Sequence, residues 1–227
     1  MAVHGVNDTS VPAALEELIR SFAGHPGLDE VLSSIATAAV KLVDGVDYAD
    51  VIVLSEGLLQ SITPTATQLS ELHATQLRLH NGPCLQAAEG AAIVRCTDLR
   101  TDVRWGTFAA AAVNAGVHSV LSFHIYTHSN GTGALNLFGC APRAIGPEAE
   151  AVGALLASVA GIALITSAKE RQLRTAMVSR DLIGQAKGIL MHHFRVDETQ
   201  AFAMLKKISQ DTNIPVRAIT QQIIDMF

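Results

Sequence analysis

Apolar side chains recur at helical spacing over residues 11–23 and again over 28–45. In the second stretch Leu28, Val31, Leu32, Ile35, Ala39 and Leu42 share one face, and Asp29 favours a helix start. The period then shortens. YADVIVLS (48–55) reads as a strand, Glu56-Gly57 marks a turn, and LLQSITPT (58–65) reads as the partner strand of a hairpin. A helical period returns over 66–80. Pro83 opens a short helix inside NGPCLQAAEG, AAIVRC (91–96) is a short strand, and 105–115 is a helix closed by Gly116. HSVLSFHIYT and GTGALNLFG follow as strands, with the Asn-Gly of HSNG as a hairpin signal between them. A long helix begins near Pro147. Hairpins at both ends of this order predict an α+β fold, an antiparallel sheet flanked by helices, rather than a doubly wound one.

From Arg180 the pattern is helical throughout. Ile183, Ala186, Leu190 and Phe194 fall on one face, and Arg195-Val196 ends the helix. Asp197 can cap the next helix, with Gln200 at the capping-box position and Val196 as a staple to Ala201. Phe202, Leu205 and Ile208 form its predicted inner face. DTNIP breaks it, Pro215 stands near the start of a third helix, and Val216, Ile219, Ile223 and Phe227 repeat the spacing of the first. This is a three-helix module of roughly fifty residues, small enough for its core alone to be marginal. Gly188 interrupts a good helix at a cost of about 1 kcal/mol relative to alanine. That cost calls for close helix packing or close approach of a ligand. No Gly or Pro interrupts 162–183, so the two parts join through helix. The expected division is 1–166 and 167–227, with a helical connector from about 147.

The chain's 227 residues suffice for two domains. It is 49% hydrophobic with mean hydropathy +0.31, but alanine supplies much of this. The run AVGALLASVAGIALI is shorter than a membrane-spanning helix requires, and the N-terminus lacks a signal-peptide pattern, so a cytoplasmic protein without a membrane partner is expected. Cys84, Cys96 and Cys140 lie far apart, which argues against a disulfide framework or a zinc site. The net charge of −5 divides unevenly, −8 over 1–166 and +3 over 167–227, and points to different partners for the two halves.

Candidate chemistry is sparse. There is no G-x-S-x-G, H-E-x-x-H, P-loop or paired-carboxylate signature, and no phospho-acceptor pattern, so an enzyme is not expected. Cys84 follows Gly82-Pro83 at a helix start, a setting that favours a reactive thiol. It is a candidate redox or covalent-ligand site, or simply a small packed side chain. Trp105 either lines a pocket or fills the core. His80, His118 and His124 are isolated, and His192 and His193, being adjacent, cannot share a helix face. No metal site is expected.

The strings RDLIGQAKGILM, DETQAFAMLKKIS and NIPVRAITQQII, over about 170–227, resemble the ANTAR domain of bacterial antitermination regulators. The resemblance implies a three-helix RNA-binding module that recognises paired hairpin loops in nascent leader transcripts, favours antitermination, and works as a dimer. HHFRVDE after the I-L-M string and AIT in the third helix depart from the family's usual residues, which implies a somewhat different loop. Lys187, Arg195, Lys206, Lys207 and Arg217 are candidates for phosphates, Gln185 for a base edge, and Gly188 for close approach. Phe194, Phe202 and Phe227 all lie on apolar faces, so shape and polar contacts are expected rather than base stacking.

Residues 25–166 resemble a GAF domain, and GPCLQA and GALNLF are similar to segments of actinobacterial proteins that join GAF to ANTAR. This implies a sensory pocket between one sheet face and crossing helices, open to a small molecule or a protein, with Cys84 and Trp105 as pocket candidates. The N-K…F…D-E pattern of cyclic-nucleotide GAF domains is absent, and the ligand or cofactor stays unknown. Val152, Leu155, Val159 and Ile162, spaced 3, 4 and 3 apart, predict a homodimer through the long helix. The rival reading is a protein-interaction regulator whose helical tail only dimerises and has no RNA target.

Overall fold

A computed structural model of the chain describes residues 27–55, 58–61, 63–126 and 131–227, together with 13, 16 and 18–20. The turns at 56–57 and 127–130, and most of the expected helix over 11–23, lie outside these residues. Ala13, Glu16 and 18–20 are helical. The described chain divides into two compact units, one up to Ser167 and one from Ala168.

In the first unit α1 (Leu28–Leu42) precedes the hairpin β1 (Tyr48–Ser55) and β2 (Leu58–Ser61). Then come α2 (Gln68–Leu79), the short α3 (Pro83–Ala88), β3 (Ile93–Cys96), a 3-10 turn at Val103–Trp105 and α4 (Gly106–Asn114). Two more strands follow, β4 (Ser119–Tyr126) and β5 (Gly131–Gly139), then α5 (Ala149–Phe194). The five strands form one antiparallel sheet in the order β2-β1-β5-β4-β3. This is the α+β layout expected from the pattern. β2 ends at Ser61, short of the predicted Thr65, because Pro64 has no N–H to donate to a ladder. Thr65 instead fixes β1 through its hydroxyl, which accepts from the Ala49 N–H at 2.8 Å and donates to the Ala49 carbonyl at 2.9 Å.

The alternation of the strands gives the sheet two buried faces. Val51, Leu121, Phe123, Leu135 and Leu137 point to one, under α1 and the first turns of α5, where Leu32, Ile35, Leu156 and Ala160 join them. Gly153 makes that contact close: a Cβ there would stand 2.3 Å from the Phe123 ring. Ile52, Val120, Ala134 and Phe138 point to the other face, with α2, α3 and α4 contributing Leu69, Leu72, Cys84 and Phe108, and the 3-10 turn Trp105.

As a single 46-residue helix, α5 changes one sequence expectation. Its apolar stretch, read as too short for a membrane, reaches the length and composition of a crossing helix, with a window of mean hydropathy 2.0. Within that stretch Leu156, Ala157, Ala160 and Leu164 belong to the core of the first unit.

The second unit is the end of α5 with α6 (Glu198–Thr212) and α7 (Val216–Met226). Its core is Ala186, Leu190, Ala201, Leu205, Ile219 and Ile223, with Val196 and Val216 packed at its edge. Asp197 and Gln200 form a full capping box: the Asp197 carboxylate accepts from the Gln200 N–H at 2.8 Å, and the Gln200 side chain accepts from the Asp197 N–H at 3.2 Å. Arg195 (φ 55) and Asn213 (φ 53) adopt the left-handed conformation that ends helices. Three predicted core aromatics are not core. Phe194 is 52% exposed, Phe202 44% and Phe227 63%. With only six apolar residues to enclose, the core stops short of the helix ends, so Phe194 and Phe227 overhang it, and Phe202 falls to one side of the Ala201–Leu205 line.

Candidate functional site

On the sheet face covered by α2, α3 and α4 the apolar pattern is broken in one row. Asp50 on β1 pairs in register with Asn136 on β5, and Asn136 pairs with Ser122 on β4. All three are fully buried. Above this row α2 contributes His73 and Gln76, and α3 contributes Cys84, each with at most 2% exposure. The His73 Nε2 and Asp50 Oδ2 form a short ion pair, and Asn136 Nδ2 donates to Asp50 Oδ1 at 2.8 Å. Burial disfavours the charged imidazole, but the Asp50 carboxylate beside it outweighs burial and raises the His73 pKa to about 10. The Ser122 hydroxyl donates to Cys84 Sγ at 3.8 Å. Gln76 Oε1 accepts from the backbone N–H groups of Cys84 and Leu85 at 2.9 and 3.3 Å. It thereby caps α3, whose own N-cap, Gly82, has no side chain. A Cβ on Gly82 (φ 157) would strike that Gln76 side chain at 2.2 Å. The helix-start N–H groups that the sequence offered to a thiol are therefore taken by Gln76. His73 Nδ1, Asn136 Oδ1 and Gln76 Nε2 have no hydrogen-bond partner among the described residues.

In the second unit the QAKG string occupies the last turns of α5. Ala186 is buried, while Gln185 and Gly188, three apart, are exposed on one face. Open space lies over Gly188: a Cβ there would meet nothing within 4 Å. Helix packing inside this unit therefore does not account for the glycine. Lys187 is only half-free. Its ammonium is paired with Glu198 at the start of α6, and that contact lowers the Glu198 pKa. Arg195, Lys206, Lys207 and Arg217 are exposed. The His193 ring packs against the rings of Phe194 and Phe227, with centroids 4.9 Å away in each case. The structure thus brings together an exposed aromatic group that the sequence reading had assigned to the interior.

Residues 25–165 match the GAF domain family, and residues 171–224 match the ANTAR domain family. The chain belongs to the GAF–ANTAR regulators. No curated protein matches it in sequence. Among solved structures it is similar to the phytochrome photosensory core module of Stigmatella aurantiaca. That match has a TM-score of 0.59 at 10% identity and covers 92% of this chain but 46% of that one. It is also similar to the GAF domain of a phosphoenolpyruvate-protein phosphotransferase from Coxiella burnetii (TM-score 0.54, 14% identity, 74% of this chain and 99% of that one). A third likeness is to the reduced form of fRMsr of Staphylococcus aureus (TM-score 0.54, 10% identity, 71% and 99%). At these identities the likeness is one of fold. GAF domains are sensory and ANTAR domains bind RNA in antitermination; both are regulatory modules rather than catalytic ones.

Within the GAF domain the two pocket candidates separate. Trp105, 2% exposed, lends an edge to a surface cleft of about 320 Å³ whose walls include Asn81, Gly82, Leu85 and Glu89. The Arg104 guanidinium lies 3.9 Å over its ring and is held by Asp102. Cys84 does not line that cleft; it faces the polar row beneath. Asp50, His73, Ser122 and Asn136 were missed in the sequence. For Asp50, Ser122 and Asn136 the signal was a polar residue among the apolar positions of each strand; His73, on α2, carried none. Among the described residues no group of His, Cys, Asp and Glu could hold a metal ion.

Proposed function

We propose that this GAF–ANTAR regulator is a cytoplasmic, signal-responsive protein. Its residues 167–227 bind hairpin loops in nascent leader RNA and favour antitermination, and its residues 1–166 receive the signal. The observation that carries this reading is the open, exposed face around Gln185 and Gly188, inside the segment that matches the ANTAR family. A helix that accepts a glycine where nothing packs leaves its backbone accessible to a ligand. The exposed Phe194, Phe202 and Phe227 add stacking surfaces for unpaired bases, and Arg195, Lys206, Lys207 and Arg217 supply charge for phosphates. Stacking thus enters the proposal on structural grounds, against the sequence expectation.

The same protein is proposed to act as a homodimer. Of the expected seam, Val152 and Val159 pack on the GAF core, whereas Leu155 (42%) and Ile162 (66%) stay exposed seven residues apart. Leu173 and Met177 continue the exposed apolar positions along α5. This feature alone also suits the rival reading of a tail that only dimerises. RNA crosslinked to the protein in cells and sequenced decides between them. Enrichment of paired hairpins upstream of coding regions supports the regulator, and failure of purified protein to retard two-hairpin leader RNA supports the rival.

A further inference from the structure

The first unit carries buried chemistry that RNA binding does not use. A buried ion pair gives up hydration on both partners, and replacement by apolar residues is often neutral or stabilising. Here the pair stands inside a cluster of six side chains, Cys84 included, from three strands and two helices, and three polar atoms in it lack a partner. Orphaned buried polar atoms call for an explanation, because most such groups in folded proteins are satisfied. The orphans flank one nucleophile. With Asp50 on Nε2, the imidazole presents its second nitrogen away from the carboxylate, and Cys84 is the other group that acts on its protonation. Cys84 sulfur already receives the Ser122 hydroxyl. The carboxylate–imidazole pair and the hydroxyl–thiol contact thus stand side by side, linked through the pairing of Asn136 with Ser122.

We propose that Cys84 is a peroxide-reactive thiol, with His73 and Ser122 as its positioning residues and the Asp50–Asn136 pair as their support. Full burial of the thiol limits the reagent to a small neutral molecule, and hydrogen peroxide is of that class. The cleft beside Trp105 is lined by Gly82 and Leu85 but not by Cys84, so the reagent has to cross the first turn of α3 to reach the sulfur. In the step, the sulfur attacks one peroxide oxygen. The S–O bond forms as the O–O bond breaks, and two electrons pass from sulfur to the departing oxygen. His73 delivers the Nδ1 proton to that oxygen, which leaves as water, and the thiol proton restores the imidazole. The balance is thiol plus hydrogen peroxide to sulfenic acid plus water. An S–O–H group offers one acceptor and one donor, the complement of the orphaned His73 Nδ1–H and Asn136 Oδ1.

The proposal does not rest on the RNA reading, and its test uses no RNA. The full-length protein is exposed to hydrogen peroxide, quenched at intervals into denaturant containing dimedone, and mapped by peptide mass. The exposed Cys140 is the internal control. We expect the adduct on Cys84 to form roughly tenfold faster than on Cys140 or more. His73→Gln should slow Cys84 by about tenfold and leave Cys140 unchanged. Ser122→Ala, which removes one hydroxyl, should slow it less. Faster labelling of Cys140 than of Cys84 in the unaltered protein overturns the proposal. So does an unchanged or faster Cys84 rate in His73→Gln with Trp105 emission intact, which would mark His73 as packing alone. Should His73→Gln not fold, Ser122→Ala decides by the same criterion.

Discussion

The two units place their polar and apolar residues in opposite ways. The GAF domain encloses an ion pair, an amide and a hydroxyl in the middle of a two-faced core, although larger apolar side chains surround them. The ANTAR domain encloses only six aliphatic side chains and leaves three phenylalanines outside. In each unit the residue type that burial statistics would not place there marks the candidate chemistry. A large core can hold a costly polar row because many contacts offset it. A core of six has no such margin, so its function sits on the surface, where side chains are free to meet a partner.

The largest effects should come from breaking the buried pair. Asp50→Ala removes the group that keeps the buried imidazole charged and leaves His73 and Asn136 without their shared partner, and we expect about 3–5 kcal/mol of destabilisation. Urea unfolding followed by Trp105 emission reads this, because the only tryptophan of the chain is buried in the GAF domain. Leu205→Ala, in the smaller core, should cost about 2–5 kcal/mol and lower helical circular dichroism without moving the Trp105 transition. A shared transition in either variant would show that the two cores do not unfold independently. It would remove the basis for treating them as separate.

The same pair makes a pH prediction with a definite sign. His73 has a higher pKa folded than unfolded, so folding takes up a proton between the two values. Its contribution to stability is complete below the unfolded value of 6.5 and is lost as pH rises through about 10. The slope should not exceed about 1.4 kcal/mol per pH unit. Cys96, whose pKa burial raises to about 12, adds the same sign only above its ordinary value of 9.0. Urea midpoints between pH 6.5 and 8.5 therefore report His73. His73→Gln should flatten the profile in that window, and an unaltered slope would show the imidazole to be neutral.

Much of this organisation was legible along the chain. Strand alternation, the Pro83 helix start and the capping box at Asp197 were read from local signals, because each depends on neighbours within a few residues. The polar row was not. Asp50, Asn136 and Ser122 become one site only through strand pairing across 86 and 14 positions, and His73 joins them from a helix that crosses the sheet. The exposed phenylalanines failed for a related reason. Periodicity tells which residues share a face, but not how far along the helix the partner helices extend. Lys187 was read as free because its partner, Glu198, lies beyond the helix end, outside the i, i+4 range that sequence spacing reveals.

Gly188 tests the claim that the ANTAR surface is kept for a ligand. A methyl group there has room and favours the helix, so Gly188→Ala should stabilise the module by about 1 kcal/mol. If the backbone there is approached closely by RNA, the same variant should bind a two-hairpin RNA more weakly despite being more stable. Opposite shifts in melting temperature and affinity are the expected pair. Higher stability with unchanged affinity would leave the glycine without a functional role and would move the interface elsewhere on the module.

The smallest effects, and the most discriminating, concern the Lys187–Glu198 pair. In the free protein the Lys187 ammonium is held by an exposed carboxylate, so RNA must compete with Glu198 for it. Exposed pairs are weak, and their loss changes affinity only a few-fold. Lys187→Ala should weaken binding by roughly threefold, similarly across RNA sequences, and reduce the salt slope by about one unit or less. Glu198→Gln should do the reverse: it frees the ammonium and strengthens binding by about twofold, with the slope kept. The capping box formed by Asp197 and Gln200 remains in both variants, so the start of α6 is not disturbed. Opposite signs for the two substitutions place Lys187 at a phosphate. If both leave affinity unchanged, the pair is a surface contact between two helices. The charge that meets RNA is then left to Arg195, Lys206, Lys207 and Arg217, for which none of the hydrogen bonds or ion pairs described above competes.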